Sequence, residues 1–320
     1  MKLEKMKSLK GIAPIGAAVV FAAAACVCSW AQTAPPAGTA RVYLTVTSTG
    51  NAAPRKLTAQ DIRVYQDDQL RPVVRLVPVA TQQSRLDVAI VVDDSLNREI
   101  ANQFTEIKKF IHDLPANAEV EVVYASHGSA EIQQGFTTER EAAARALHMP
   151  AGSIAGADGL YDSLRNLAKH WPNDGAAGVV VLISDGVDVT FGTFESLPSM
   201  NTSLQRAIEA FQSAGITAYS IYASGSGRVG FAPFLVESGQ GCLARLASET
   251  GGEAFFQGTH TPVDIGVFLD QIRQRLASQY VLEFRTQPGN KSAYSHLRVT
   301  TEQLGVKLSH PTAIFTGNGM

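Results

Sequence analysis

The chain has 320 residues, of which 45% are hydrophobic and 18% are charged, a composition that excludes a disordered or collagen-like protein. It holds 27 Lys and Arg against 29 Asp and Glu, a formal net charge of -2, which argues against a non-specific nucleic-acid binder. Three cysteines in this length exclude a small fold stapled by disulfides.

Residues 1–31 have the layout of a secretory signal peptide. Lysines within residues 1–10 precede an apolar, Ala-rich run that ends near Trp30, and cleavage is expected after Ala31. Two alternatives stay open, an uncleaved membrane anchor and a lipoprotein cleavage before Cys26. We therefore expect a secreted or periplasmic protein that contacts a membrane only if this segment is uncleaved or lipidated.

Cleavage changes the cysteine content of the chain. Cys26 and Cys28 lie inside the signal segment, so Cys242 is the single cysteine of the expected mature protein. It has no partner for an internal disulfide there. Because Leu243 and Leu246 follow it and no His is near in sequence, we expect a small buried side chain and not a nucleophile.

The two ends of the mature chain show the alternation of β-strands. Apolar and polar side chains alternate over residues 41–80, with the turn residues Asp67 and Asp68 between runs, and the alternation returns after Tyr280. This pattern is typical of antiparallel strands with one face in water. We predict that an N-terminal flank, 32–84, and a C-terminal flank, 280–320, pair into one small β-rich domain.

The centre of the chain, residues 85–279, has a different pattern. Solid apolar runs at 86–92, 120–124, 179–183 and 216–222 alternate with stretches of helical spacing such as 104–114, 160–167 and 267–276. Buried strands between helices indicate a mainly parallel sheet that is covered on both faces. We therefore predict an α/β fold with a doubly wound sheet.

Oxygen-bearing side chains follow two of these strands and open one helix. Asp93-Asp94-Ser95-Leu96-Asn97 ends the first central strand, and Ser184-Asp185-Gly186-Val187-Asp188 ends the strand at 179–183. Asp158, in Asp158-Gly159-Leu160-Tyr161-Asp162, suits the N-cap of the next helix. In open α/β sheets ligands gather beyond the carboxyl ends of the strands, so these side chains are expected to converge.

These motifs resemble those of the von Willebrand factor A (VWA) domain family, in which a DxSxS strand end, a loop Thr and a distant Asp form a metal-ion-dependent adhesion site. The segment LARLASETGGEAF, Leu243 to Phe255, is similar to the family's late helix, Gly-Gly turn and last strand. The segments LTAQDIRVYQDD and QYVLEF further resemble the secreted VWFA-related proteins abundant in Acidobacteria. The resemblance implies a VWA/Rossmann-like fold over almost all of the mature chain.

The candidate metal ligands are Asp93, Ser95, Asn97, Asp158 and Asp185. Asp93, Ser95 and Asp185 match the family motif, whereas Asn97 stands where the family has a second Ser and Asp158 where it has the loop Thr. All five still offer oxygen, the ligand that hard cations such as Mg²⁺ and Ca²⁺ prefer. The alternative is that these residues, common in caps and turns, only satisfy free backbone N-H groups.

The negative charge of these candidate ligands affects both the predicted affinity for the metal and the predicted attraction of a partner. Three carboxylates at one rim, with Asp94 and Asp188 adjacent, repel one another and raise their pKa values unless a cation neutralises them. Compared with the family pattern, which places two carboxylates near the ion, we expect tighter metal binding and a weaker attraction of the bound ion for an acidic group of a partner. The implied function is a metal-assisted protein-interaction module of the bacterial envelope, with a protein partner the sequence does not identify; the alternative is a structural domain.

Other motifs give no support for catalysis or for a nucleotide cofactor. Gly225 to Gly230 fits G-x-G-x-x-G, but it follows a late strand and does not open a βαβ unit, so a loop is expected. The seven His show no zinc-ligand spacing, and neither C-x-x-C nor G-x-S-x-G occurs. We expect no enzymatic activity, with a metal-dependent hydrolase as a distant alternative.

Overall fold

A computed structural model describes residues 38–50, 56–81, 85–152, 159–226, 233–287 and 294–316. The predicted signal segment, 1–31, lies outside the described residues, and so do Asp158 and residues 227–230 of the glycine-rich motif. Among the helices that the structure describes, none combines the length and the apolar character that a membrane crossing requires.

The described strands and helices alternate through the middle of the chain, with strands at both ends. The strands are β1 (Thr39–Ser48), β2 (Ile62–Gln66), β3 (Gln69–Arg71), β4 (Val73–Pro78), β5 (Leu86–Asp93), β6 (Ala118–Ser126), β7 (Ser129–Thr137), β8 (Ala177–Ser184), β9 (Ile216–Tyr222), β10 (Ala254–Phe255), β11 (Gln279–Arg285), β12 (Tyr294–Thr301), β13 (Val306–Ser309) and β14 (Ala313–Phe315). The helices are α1 (Phe104–Asp113), α2 (Arg140–Arg145), α3 (Leu160–Lys169), α4 (Thr202–Ala214), α5 (Pro233–Glu249) and α6 (Gly266–Ala277).

The central sheet has six strands in the order β10-β9-β8-β5-β6-β7. All neighbours are parallel except β6 and β7, which form an antiparallel hairpin at one edge. Strands β5, β8 and β9 are buried at every position, as a sheet covered on both faces requires. This order confirms the predicted doubly wound, mainly parallel α/β fold.

Helices cover the two faces of the central sheet and form two separate apolar cores. On one face α1 and α6 pack on the strands, with Ile107, Phe110 and Ile272 in the core. On the other face lie α3, α4 and α5, which contribute residues such as Leu164 and Phe211. Each helix buries one apolar stripe and leaves its polar side in water, as the three- and four-residue spacing predicts.

The flanking strands form two four-stranded sheets that enclose a third core. Their orders are β13-β1-β11-β4 and β14-β12-β2-β3, so strands from both ends of the chain pair with each other, β1 with β11 and β2 with β12. Leu44, Val64, Leu282 and Phe284 fill the space between them. The described residues of the two flanks and of the centre belong to one compact unit, and the boundaries at 84 and 280 stay a prediction.

Two local features differ from the sequence-based expectations. Strand β7 was not predicted; its outer face is exposed, as at Ile132, and the turn at His127 and Gly128, both with positive φ, closes the β6–β7 hairpin. The N-cap of α3 is Gly159, with φ of 57°, and not Asp158. A Cβ at Gly159 would lie 3.0 Å from the Gly128 Cα, so the contact between this cap and the hairpin turn requires glycine.

Candidate functional site

Two strand ends meet at the carboxyl edge of the central sheet. Asp93 is the last residue of β5 and Ser184 the last residue of β8, and these strands are parallel neighbours. The Ser184 hydroxyl donates a hydrogen bond to Asp93 Oδ2 at 2.6 Å and accepts one from the Gly186 N-H at 2.9 Å. The sheet register and the Ser184 hydroxyl therefore place Asp93 beside the turn that contains Asp185.

Each strand end closes with an Asp side chain that binds its own backbone two residues ahead. The Ser95 N-H donates to Asp93 Oδ1 at 2.9 Å, and the Val187 N-H donates to Asp185 Oδ1 at 2.9 Å. Asp93 and Asp185 are almost wholly buried, with 1% and 2% of their surface exposed. Such bonds orient a carboxylate and satisfy one of its oxygens, so the two carboxylates are held in place before any ligand binds.

The Ser95 side chain is the least satisfied polar group of this edge. Only 5% of the residue is exposed, and its hydroxyl has no hydrogen-bond partner among the described residues. A buried hydroxyl without a partner costs about 1 to 3 kcal/mol. An oxygen ligand for a hard cation is in this condition when the cation is left out, so the Ser95 hydroxyl, next to Asp93, fits a cation site.

Asn97 is used as a helix cap in the structure. Its Oδ1 accepts a hydrogen bond from the Glu99 N-H at 3.1 Å, at the start of a 3₁₀ turn over Arg98–Gln103. Its backbone N-H donates to the Ser224 carbonyl at 3.0 Å, and the Ser226 N-H donates to the Ser95 carbonyl at 2.9 Å. The segment after β9 thus fixes the backbone of the Ser95 to Asn97 turn, a contact that the sequence did not reveal.

Of the two acidic neighbours of the site, Asp94 is bound by other segments through both oxygens, and Asp188 is bound through one oxygen. The Asp94 carboxylate accepts hydrogen bonds from the Ala151 N-H at 2.8 Å and from the Ser126 hydroxyl at 3.3 Å, and therefore anchors the segment before Asp158. Asp188 Oδ1 accepts from the N-H and the hydroxyl of Thr190, while its buried Oδ2 has no partner among the described residues.

The structure thus brings together Asp93, Ser95 and Asp185, places Asn97 at the adjoining cap, and leaves Asp158 outside the described residues. In the part of the chain that it describes, no group of three or more His, Cys, Asp or Glu side chains is arranged to hold a metal ion. The described site therefore contains two carboxylates and a hydroxyl. Asp158, on the segment directly before α3, is the third carboxylate of the predicted set.

Helix α5 packs directly against the turn that contains Asp185. The backbones of Gly186 and Gly239 approach so closely that a Cβ on Gly186 would lie 2.3 Å from the Gly239 oxygen, and one on Gly239 would lie 2.2 Å from the Asp185 oxygen. The Tyr161 hydroxyl donates to the Gly186 carbonyl at 2.7 Å. No local sequence signal singled out Gly239, because its role depends on a contact between distant segments.

Cys242, also on α5, is buried and unpaired with any other cysteine of the described chain, as predicted. Its thiol donates to the Ser196 carbonyl at 3.2 Å. Burial raises the pKa of Cys242 to about 11, so the thiol stays neutral at physiological pH, which is the opposite of what a nucleophile needs.

No protein-family model matches the chain, and its sequence matches no curated protein. Solved structures of similar fold include an aerotolerance-related membrane protein from Bacteroides fragilis, with 16% identity over 60% of this chain and 98% of that one and a TM-score of 0.44. Others are a von Willebrand factor type A protein from Catenulispora acidiphila, with 14% identity, 88% and 74% coverage and a TM-score of 0.38, and the SpRpn10 VWA domain, with 12% identity, 59% and 95% coverage and a TM-score of 0.36.

The strand order and the two helix layers define the class of protein, an α/β domain with a doubly wound, mainly parallel sheet. The similarities to solved structures are of fold and low in identity.

Proposed function

We propose that this protein is a secreted or envelope protein-interaction module of the VWFA-related kind, whose edge site binds Mg²⁺ or Ca²⁺. The ligands would be Asp93, Ser95 and Asp185, with Asp158 and Asn97 completing the set. The observation that carries the proposal is the buried Ser95 hydroxyl, which lies beside Asp93 and has no partner among the described residues.

When bound, the cation supplies positive charge that neutralises the carboxylates and a coordination position for an oxygen of the partner. The chain's own part is to hold the ligands rigid. Ser184 links Asp93 to the Gly186 turn, and the backbone N-H groups of Ser95 and Val187 fix the two carboxylates. Ligands that are already fixed in this way favour metal affinity, because their side chains lose little conformational entropy when the cation binds.

The proposal is tested by thermal melting with added Mg²⁺ or Ca²⁺. A cation that binds the native state stabilises it by about 2.7 kcal/mol at one hundred times its dissociation constant. Asp93→Ala and Asp158→Ala are expected to abolish or weaken this gain. If the parent protein and Asp93→Ala respond equally to both ions, the metal site is wrong.

Partner binding is tested separately. A protein from envelope extract should be retained on the immobilised chain in Mg²⁺ or Ca²⁺, released by chelator, and absent from an Asp93→Ala column. Because Asp158 adds a negative charge near the ion, Asp158→Thr should weaken metal binding and strengthen partner binding. Loss of both together would contradict this charge balance.

A second candidate is a structural envelope domain that has lost partner recognition. The capping bonds of Asn97 and Asp188 favour it, since part of the rim serves the fold itself. It predicts the stabilisation by divalent ions without any partner that chelator releases. We propose no catalytic activity for either candidate, and a screen for esterase and phosphatase turnover that Asp93→Ala abolishes would overturn that.

A further inference from the structure

A pocket lies away from the carboxyl edge of the central sheet, on the sheet face that α3 and α4 cover. Its volume is about 500 Å³, and it opens between the second half of α3, the outer side of α4 and Tyr294 at the start of β12. Lys169, the last residue of α3, precedes the beginning of β8, whereas Asp93 is the last residue of β5 and Asp185 follows the last residue of β8. The pocket is therefore separate from the proposed cation site.

The aromatic side chain at one side of this pocket, Tyr294, is fixed by specific contacts. The Tyr294 hydroxyl donates to the Glu209 carbonyl at 3.0 Å, which ties β12 to α4. The Tyr294 ring also contacts Phe315, with 5.3 Å between ring centroids. Trp171 also lines the pocket; only 9% of it is exposed, and its ring contacts Phe136 with 5.2 Å between ring centroids. Contacts with other parts of the protein thus hold both aromatic side chains of the lining in place.

Positive charge dominates the lining. Arg165, Lys169 and Arg206 face the pocket against one acid, Glu209. Arg165 is paired with Asp162 at 3.3 Å, but Lys169 and Arg206 are exposed, and their side chains have no hydrogen bond or ion pair to any described residue. The Glu209 carboxylate accepts a hydrogen bond from Gln205 at 3.0 Å. Besides the paired Arg165, the lining thus holds two cations and one carboxylate, and positive charge is in excess.

This arrangement differs from that of other arginines in the chain. Arg85 is bound by Asp87 and Asp174, and Arg245 by Glu249 at 2.7 Å and by the Pro198 carbonyl at 2.6 Å. A bound oxyanion would balance the excess positive charge of the pocket and accept charge-assisted hydrogen bonds from Lys169 and Arg206.

We propose that this pocket binds a ligand through its phosphate or carboxylate groups, with Lys169 and Arg206 as the principal contacts. The volume lies within the range of pockets for small ligands, and it exceeds what a single anionic group fills, so the remainder of the ligand packs along Tyr294. The guanidinium of Arg206 offers a planar pair of donors that suits either oxyanion. This inference is independent of the proposed cation site.

The test is an NMR titration of the protein with inorganic phosphate and, separately, with succinate, both at low ionic strength. At least one of the two should shift backbone resonances of α3 and α4 saturably. The probe that binds more tightly identifies the phosphate or the carboxylate source. Raising the NaCl concentration should weaken binding, because salt screens exposed charges.

Variants decide whether the pocket is responsible. The double variant Lys169→Gln and Arg206→Gln should weaken binding by at least about 10-fold, the loss expected when charged hydrogen bonds are removed. Lys108→Gln is the matched control, since Lys108 is exposed on α1, which packs on the opposite face of the sheet. It should leave affinity unchanged within about 2-fold.

Two further arms keep the result interpretable. Arg206→Lys retains the charge and should keep more affinity than Arg206→Gln, and melting curves check that every variant is folded. Chelator should not change anion binding, which separates failure of this proposal from failure of the cation site. Absence of saturable shifts with both probes, or equal affinity of the double variant and the parent, would overturn the proposal.

Discussion

At the residue scale, the site depends on which oxygens are satisfied by the protein itself. Ser184 bonds Asp93 and the Gly186 N-H, Asn97 caps a 3₁₀ turn, and Asp94 holds the segment at Ala151. Ser95 is the exception among the described ligand candidates, because its hydroxyl is buried without a partner. The residues were recognisable from sequence, but this difference between them was not.

Replacing Ser95 by Ala tests whether its hydroxyl is reserved for a cation. We expect Ser95→Ala to melt at or above the melting temperature of the parent without divalent ions, because the substitution removes a buried hydroxyl that has no described partner, and to lose most of the stabilisation by Mg²⁺ or Ca²⁺. Ser220→Ala is the matched control, since Ser220, within β9, also has a buried hydroxyl without a described partner. An equal response of both variants to the ions would argue against Ser95 as a ligand.

Glu121 is a buried acid that makes stability depend on pH. It lies in β6 with 4% of its surface exposed, and burial, with a smaller contribution from the Asp87 charge, raises its pKa from 4.5 to about 7. The folded state therefore binds the proton more tightly than the unfolded state does. The resulting stability is complete below about pH 4.5 and is lost as the pH rises through about 7.

We therefore expect Glu121→Gln to be more stable than the parent at pH 8, by up to about 3 kcal/mol, and to differ little from it at pH 4.5. Denaturant unfolding at the two pH values measures this difference. Glu131→Gln, at an exposed position of β7, is the control and should show little effect at either pH. A pH-independent difference between Glu121→Gln and the parent would refute this account of Glu121.

At the element scale, α5 sets the position of the Asp185 turn. The helix approaches the turn so closely that neither Gly186 nor Gly239 has room for a Cβ, and Leu243 and Leu246 anchor the helix in the core. The predicted late helix was correct in kind. Its contact with the turn was not predictable, because it joins segments more than fifty residues apart and depends on how helix and sheet pack.

Gly239→Ala is expected to destabilise the protein by about 1 to 3 kcal/mol, the usual cost of forcing a methyl group into a filled contact. Thermal or urea unfolding measures the change. Gly50→Ala serves as the matched control, because a Cβ there meets nothing within 4 Å. If the two substitutions have the same effect on stability, the close approach of α5 to the turn is not as described.

At the scale of the whole molecule, the β flanks and the α/β centre are joined by hydrogen bonds. The Tyr43 hydroxyl donates to the Gly175 carbonyl at 3.2 Å, Thr45 and Tyr219 share a bond of 3.4 Å, and the Thr312 N-H donates to the Glu249 carbonyl at 3.0 Å. Because of these contacts, unfolding of one core also destabilises the other two. We therefore expect a single cooperative unfolding transition.

Leu282→Ala tests this cooperativity. Leu282 lies in β11 and is fully buried in the core of the flanking sheets, so the substitution should cost about 2 to 5 kcal/mol and lower the melting temperature of the α/β centre as well. Leu304→Ala is the control, because Leu304 is 98% exposed. Two separate transitions in Leu282→Ala, with the later one unchanged, would show that the flanks unfold on their own.

The sequence by itself determined the kinds of element and the residues at the strand ends. The apolar runs correspond to β5, β6, β8 and β9, because hydrophobic periodicity and turn chemistry act over a few residues. Strand β7 was not predicted because its exposed face carries mixed polar and apolar side chains. The N-cap of α3 is Gly159, one residue after the predicted Asp158.

Only the tertiary structure decided how those residues are used. It left the Ser95 hydroxyl without a described partner, turned Asp94 toward Ala151, placed Gly239 against the Asp185 turn, and gathered Lys169, Arg206 and Tyr294 around one pocket. The physical reason is that side chains compete for partners from every element packed nearby. Such partners are distant along the chain, so the local spacing of residues does not predict them.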